Sequence, residues 1–294
     1  MSGSTQEFER RRDMAQTTTR APWHEGWSNL DQSSDPQWYV HFLDATRGRM
    51  VALIEQDPAR YFSFLEPSPK KRVLDVGCGT GVLLHQLAGL VEGGEVVGVD
   101  ISQTMVDEAT KRAEDIRGNL KFEKRNALAL GIPDNTFDAA MSSVVFQHLP
   151  DPEQALSEMI RVTKPGGIVT IIEQDWETFV IDCGDKHVTR RITNFFCDHV
   201  PHGWIGRQLF RLFCGCGLCN VHVIPGNHVM CGESAGMVAP MIRETLERAE
   251  AADVITAAER EAWEMEFEAR LEAGSLCMGF TMFRAIGRKP NPTC

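Results

Sequence analysis

Between residues 70 and 174 short apolar runs alternate with segments in which apolar residues recur every three or four positions. Apolar runs bounded by turn residues read as buried strands, and the longer recurrence reads as helices buried along one face. The pattern predicts strands at 72–76, 95–99, 120–125, 137–142 and 168–172, with helices at 80–90 and 102–117. Ser102 is placed to cap the second helix. A third helix opens at Asp151-Pro152-Glu153-Gln154, with Asp as cap, Pro at the first helical position and Gln in the capping-box place. Ala155, Leu156, Met159 and Ile160 form its apolar face, and Lys164-Pro165-Gly166-Gly167 stops it. Repeated strand–helix units predict a doubly wound, mostly parallel sheet with helices on both faces, which binds ligands at the carboxyl ends of its strands.

The flanking segments read differently. Residues 1–35 are polar and weakly periodic, an N-terminal arm that is either flexible or docked; Trp23 and Trp27 favour docking, because disordered segments are poor in aromatics. Residues 36–69 read as N-terminal cap helices, opened by Asp35-Pro36, with Tyr39, Phe42 and Leu43 on one face and Met50, Leu53 and Ile54 further on. Residues 70–294 form the main domain. Its later part predicts a helix near 187–200, another after Gly203-Trp204-Ile205-Gly206, and strands at 220–224 and 280–286, which bring the sheet to seven strands. A helical insertion at about 230–278 separates the last two strands. Thr256 and Glu259 make a capping box, Trp263, Phe267 and Leu271 a stripe at i, i+4 and i+8, and Gly274 the stop. With Met230, Met237 and Met241 before it, this insertion reads as a substrate lid, or alternatively as an extra pair of core helices.

Candidate chemistry centres on Asp75-Val76-Gly77-Cys78-Gly79-Thr80-Gly81, where the first strand meets its helix. Glycines let the backbone approach a ligand, and the helix start offers free N–H groups. Asp100 ends the next strand, where a ribose-binding carboxylate sits in doubly wound folds. The spacing G-x-G-x-G departs from the dinucleotide fingerprint G-x-G-x-x-G, and Asp75 suits a ligand with a positive amino group and no pyrophosphate. The D-x-G-x-G-x-G run with Asp100 resembles the first two motifs of the class I S-adenosylmethionine (SAM)-dependent methyltransferases. Asn126-Ala127-Leu128, Ile132 to Asp138 and Leu156 to Gly167 are similar to later motifs of that family.

The resemblance implies a Rossmann-like α/β fold, SAM as cofactor with S-adenosylhomocysteine as product, and roles residue by residue. Gly77, Gly79 and Gly81 would give backbone access, Asp75 would orient the methionine ammonium, and Asp100 would take the ribose hydroxyls. Asn126 and Ala127 would meet adenine, flanked by Ile101 and Met105; the family usually has Asp where this chain has Asn126, and the amide carbonyl can accept in its place. Tyr39, Arg49 and Ser143 would lie near the methionine end. His148, after the fourth strand, is the candidate general base, with Glu173, Asp175 and His202 behind it; a structural histidine is the alternative.

Charge and composition narrow the substrate. The net charge of −11 repels a phosphate backbone, and no N-P-P-Y/F follows the fourth strand, so nucleic acid is not expected. No apolar run reaches the length of a membrane span, and residues 1–20 lack the apolar core of a secretory signal, which leads to the expectation of a cytoplasmic protein. The nine cysteines read as free thiols. Cys214, Cys216 and Cys219, with His222, are too few and too irregular to predict a metal, and none is expected. Trp, Phe and Met in the arm and insertion suit a small, largely apolar acceptor. The chain looks like the methyltransferases that decorate natural products and quinones, among which the C-methyltransferases of teleocidin prenyl chains are candidate relatives. C-methylation of a prenyl or aromatic group is thus the first expectation; O- or N-methylation of a quinone, polyketide or amine is the alternative. A SAM-binding protein without transfer, a dinucleotide oxidoreductase and a non-enzymatic binding module are the competing readings. An exchanged N-terminal arm would make a homo-oligomer.

Overall fold

The computed structural model describes residues 26–114 and 118–291, without the side chains of residues 28, 48–54 and 233. The expectations for Trp23, Arg49, Met50, Leu53 and Ile54 therefore lie outside what is described. Five strands run in parallel: β1 (Arg72–Val76), β2 (Glu95–Asp100), β3 (Leu120–Lys124), β4 (Phe137–Ser143) and β5 (Thr163–Ile181). Two more, β6 (Cys219–Cys231) and β7 (Cys277–Arg288), complete a seven-stranded sheet of order β3-β2-β1-β4-β5-β7-β6, in which β7 is antiparallel to both neighbours. The strand order reverses between β1 and β4, the place where such sheets open a crevice for ligands.

Ten α-helices are seen among the described residues. Helices α1 (Pro36–Gln56) and α2 (Pro58–Tyr61) precede the sheet, and α3 (Leu84–Leu90), α4 (Gln103–Arg112) and α5 (Pro152–Val162) cross between its parallel strands. They are followed by α6 (Lys186–His199) and α7 (Ile205–Gly215). The two-residue period of β1 builds two cores. Leu74 and Val76 pack with Leu156, Met159, Leu209 and Phe213, while Val73 packs on the opposite face with Leu84, Leu87, Phe62 and Leu65. The caps follow the chemistry of the sequence. Ser102 Oγ accepts from Met105 N at 3.2 Å and Asp151 from Gln154 N at 2.9 Å. The side chain of Gln154 turns away from the box and donates to the Leu128 carbonyl at 3.2 Å.

Between β6 and β7 lie α8 (Glu233–Gly236), α9 (Ala239–Ala251) and α10 (Ala257–Glu272). The Thr256–Glu259 capping box starts α10, and Trp263 and Phe267 stack at 5.3 Å in a third core with Leu246, Ile192 and Phe196. Residues 26–35 are docked: the Asp31 carboxylate accepts from Gln103 N at 2.7 Å and Thr104 N at 3.2 Å, closing the free N–H groups of α4.

The sheet exceeds expectation on one side. Strand β5 extends well beyond 168–172, and β6 and β7 run alongside it. Its ladder with β7 is interrupted between Asp175 and Val180, where Trp176 N bonds Gly203 O at 2.9 Å instead. Such bulges re-aim side chains next to sites, and this one presents Trp176 and Phe179 to the cavity described below.

Candidate active site

A cavity of about 740 Å³ opens at the carboxyl ends of β1, β2 and β4 and continues along the extensions of β5 and β7. Its floor is the glycine turn. Gly77 holds φ +77°, and a Cβ there would lie 2.2 Å from Val145 Cγ2, so only glycine fits. Gly79 N donates to Asp100 Oδ2 at 2.9 Å and Ser102 N to Oδ1 at 3.0 Å. The Asp100 carboxylate thus ties the turn to the start of α4 while lining the cavity. Gly81 serves differently from expectation. It does not line the cavity; a Cβ there would press 2.5 Å from the Phe122 ring, so its role is close helix–sheet packing.

Helix α1 covers this turn with Leu43 and Arg47. Arg47, which the sequence reading missed, feels both Asp75 and Asp100, and its burial lowers its pKa from the ordinary value. Asp75 is 3% exposed, and its Oδ1 has no hydrogen-bond partner. Burial pushes its carboxyl up to about 7, with Arg47 pulling down and Asp100 pushing up. Tyr39 does not reach the cavity. It is fully buried, with its ring edge-on to Trp27 at 4.7 Å and to Trp38 at 5.2 Å, and so seats α1 on residues 27–32. Tyr39, Leu43 and Arg47 stand at i, i+4 and i+8, a spacing that could have drawn attention to Arg47.

Asn126, Ala127, Ile101 and Met105 line the cavity beside Asp100. Asn126 Oδ1 already accepts from Leu128 N at 2.9 Å, which fixes the amide and leaves one lone pair of that oxygen for a ligand.

Ser143 is a second correction. It is buried in the sheet opposite Ile172 and does not line the cavity. The lining begins one residue later, where Val144 adopts φ +61° and the chain turns through Val145, Gln147 and His148. Glu173 holds that turn: Oε1 accepts from Val145 N and Phe146 N, both at 2.6 Å. Burial pushes Glu173 up to about 8 against those bonds. Trp176 Nε1 donates to Gln147 Oε1 at 2.6 Å, and Gln147 Nε2 donates to Gln174 Oε1 at 2.9 Å. The turn is therefore locked to the β5 bulge. His148 lines the cavity with its ring 6.0 Å from that of Trp27, and burial lowers its pKa to about 4, so the imidazole is neutral at pH 7. Asp175 is not available as a base, because Arg207 grips it with two hydrogen bonds. Neither Glu173 nor His202 lines the cavity.

The far half of the cavity is apolar. Trp176 and Phe179 of the bulge, Phe280 and Met282 of β7, and Met237 and Met241 of the insertion form its walls. Because β4 lies between β1 and β5 in the sheet, His148 stands between this chamber and the glycine turn. Among the described residues no group of three or more His, Cys, Asp or Glu is arranged to hold a metal.

The polar half fits the cofactor that the motifs imply. A zwitterionic amino acid needs a carboxylate for its ammonium and a cation for its carboxylate. Arg47 lines the cavity, whereas Asp75 does not line it and sits buried just before the glycine turn with one oxygen unpartnered, so it would act from behind the floor. A Cβ at Gly79 would meet Leu43 Cδ1 at 3.1 Å and an Arg47 guanidinium nitrogen at 3.8 Å, so α1 closes tightly over the floor there.

Comparison with known proteins agrees with this geometry. Residues 67–197 match the family model of a methyltransferase domain. An uncharacterised 37.1 kDa protein of a Streptomyces fradiae transposon is 36% identical over 201 residues, covering 68% of this chain and 58% of its own. The demethylmenaquinone methyltransferase of Thermus thermophilus is 40% identical over 109 residues, covering 37% of this chain and 49% of its own. The chain thus spans about half the length of these curated relatives. Among solved structures, the YcgJ protein of Bacillus subtilis shares the fold with a TM-score of 0.56 at 18% identity, over 79% of this chain and 97% of that one.

Proposed function

We propose that the protein is a class I SAM-dependent methyltransferase that methylates a small, largely apolar acceptor, a reading supported by the match of residues 67–197 to the family model of a methyltransferase domain. The observation that carries this reading is the continuity of one cavity from the Gly77–Gly79 floor to a chamber walled by Trp, Phe and Met. When bound, SAM supplies a methyl group already activated on a sulfonium. The protein's share is alignment and exclusion of water. Arg47 and, from behind the glycine turn, Asp75 would hold the amino-acid end, Asp100 the ribose, and Asn126 the adenine edge. Trp176, Phe179 and Phe280 orient the acceptor by its flat or branched apolar body.

His148 takes a proton from an acceptor hydroxyl or enol, or from the carbon once it has been methylated. Its neutral ring is in the accepting form throughout the physiological range. The apolar walls support a prenyl or aromatic acceptor body, and C-methylation is the first reading of the transfer. The name of the Thermus relative supports a quinone as a second acceptor class. Titration calorimetry with SAM, S-adenosylhomocysteine and NAD tests the cofactor, and labelled SAM with prenylated and quinone acceptors tests the transfer. Micromolar binding of the first two without NAD is expected; NAD binding alone would overturn the reading.

A further inference from the structure

Strands β6 and β7 end on a pair of cysteines. Cys231 and Cys277 are register partners, the last pair before the chain leaves the sheet. It leaves at Gly232 (φ +60°) for helices α8–α10 and returns after Gly274 (φ +63°). Their Sγ atoms lie 2.7 Å apart, within about an ångström of a disulfide bond length. Cys231 is exposed and Cys277 half-buried, so a small oxidant reaches them. Cys78, Cys183 and Cys197 are buried.

The surroundings are already shaped for a bond. Gly232 N donates to Leu276 O at 3.0 Å, so the two strand ends are held together before any oxidation, and Cys231 N donates to Ser234 Oγ at 3.0 Å, which fixes the turn on its own side. A disulfide then needs no backbone movement to bring its partners into range. The next register pair is Met230 with Met278, and Met230 lines the acceptor chamber.

We propose that Cys231 and Cys277 are a thiol–disulfide site, oxidised reversibly by low-molecular-weight disulfides of the glutathione class, which clamps the neck of the helical insertion. The Cys231 thiolate attacks one sulfur of the oxidant, forms a mixed disulfide and releases one small thiolate. The Cys277 thiolate then attacks the Cys231 sulfur, forms the intramolecular bond and releases the second. Two protein S–H groups are lost and the oxidant is reduced to two thiols. The closed ring holds all three insertion helices, so oxidation opposes opening of the neck through which they join the sheet. The proposal does not rest on the methyltransferase reading.

The full-length protein, reduced and then equilibrated in glutathione buffers of rising disulfide fraction, is alkylated and mapped without reduction. The expected result is a linked peptide pair containing Cys231 and Cys277 that dithiothreitol separates. It should be absent in Cys231→Ser and in Cys277→Ala, and cleavage by protease within residues 232–276 should slow at least threefold in the oxidised wild type alone. Alkylation of both thiols in the most oxidising buffer would overturn the proposal. So would glutathione on each without a link, or Cys231 bonded to another cysteine. All these measurements are made without SAM, so their failure leaves the cofactor reading untouched.

Discussion

Replacing Asp75 by Asn should make the ligand-free protein more stable at alkaline pH and much poorer at binding SAM. Burial raises this carboxyl from its ordinary 3.8 to about 7, even with Arg47 pulling the other way. The folded chain therefore holds the proton more tightly than the unfolded one. The associated stability is complete below pH 3.8, declines between 3.8 and 7 as pH rises, and is lost above 7. At about 1.4 kcal/mol per pH unit, ionised Asp75 costs roughly 4 kcal/mol above pH 7. Asn mimics the protonated acid and cannot ionise. An unfolding entropy of about 2.1 cal/mol/K per residue turns that difference into a rise in Tm of roughly 7 °C at pH 8.5, and of about 2–3 °C at pH 5. Circular-dichroism melts of both proteins, stripped of copurified ligand, read the difference.

Calorimetry on the same samples should show SAM affinity reduced about 10–150-fold, the loss expected for a charged hydrogen bond of about 1.5–3 kcal/mol. An Asn variant that melts no higher than wild type at pH 8.5 would refute the placement of an uncompensated carboxylate under the glycine turn. Retained affinity would refute its use as the ammonium anchor.

Three further outcomes follow from other parts of the site. Asp100→Ala removes the acceptor of Gly79 N and Ser102 N together with the proposed ribose contact, and should weaken SAM at least 100-fold by calorimetry, about 3 kcal/mol; a change below fivefold would contradict it. His148→Gln should lower transfer to a hydroxyl or enol acceptor about 10²–10⁴-fold with unchanged SAM affinity. Because burial sets His148 near 4, the wild-type rate should stay level from pH 6 to 8 and fall only as pH drops towards 4, where the ring takes up a proton; a profile still rising through pH 7 would assign the base elsewhere. Met237→Trp fills part of the apolar chamber and should reduce kcat/KM for a bulky acceptor more than tenfold while SAM affinity stays within twofold. Equal losses in both would place Met237 outside the acceptor side.

The cofactor half was legible because it is local. Strand, turn and helix are contiguous, so the spacing of Asp75, Gly77, Gly79 and Asp100 already places them together once the parallel sheet is inferred, and Asn126 follows at the end of the next unit. Legibility stops where contacts join distant segments. Arg47 enters from a helix that precedes the sheet, and a motif read along the sheet has no register for it. Ser143 and Val144 are adjacent, yet one is buried in the sheet and the other starts the lining. That division depends on a β-branched residue held at φ +61°, a conformation costing about 1–3 kcal/mol, which the bonds from Val145 N and Phe146 N to Glu173, 28 and 27 residues downstream, help to offset.

The β5 extension hides for a related reason: Glu173 and Asp175, read in the sequence as reserve bases behind His148, are fully buried carboxyls held by backbone N–H groups and by Arg207. The same pairing ties the two halves of the cavity together. Glu173 fixes the turn that carries His148, and Gln147 Oε1 on that turn accepts a hydrogen bond from the Trp176 indole N–H of the bulge that walls the chamber. A change of acceptor that moves Trp176 therefore acts on the turn that packs against Gly77. On the proposed function, acceptor choice and cofactor seating would share the bonds between β5 and the turn after β4, so a motif confined to the glycine turn would not encode the first without the second.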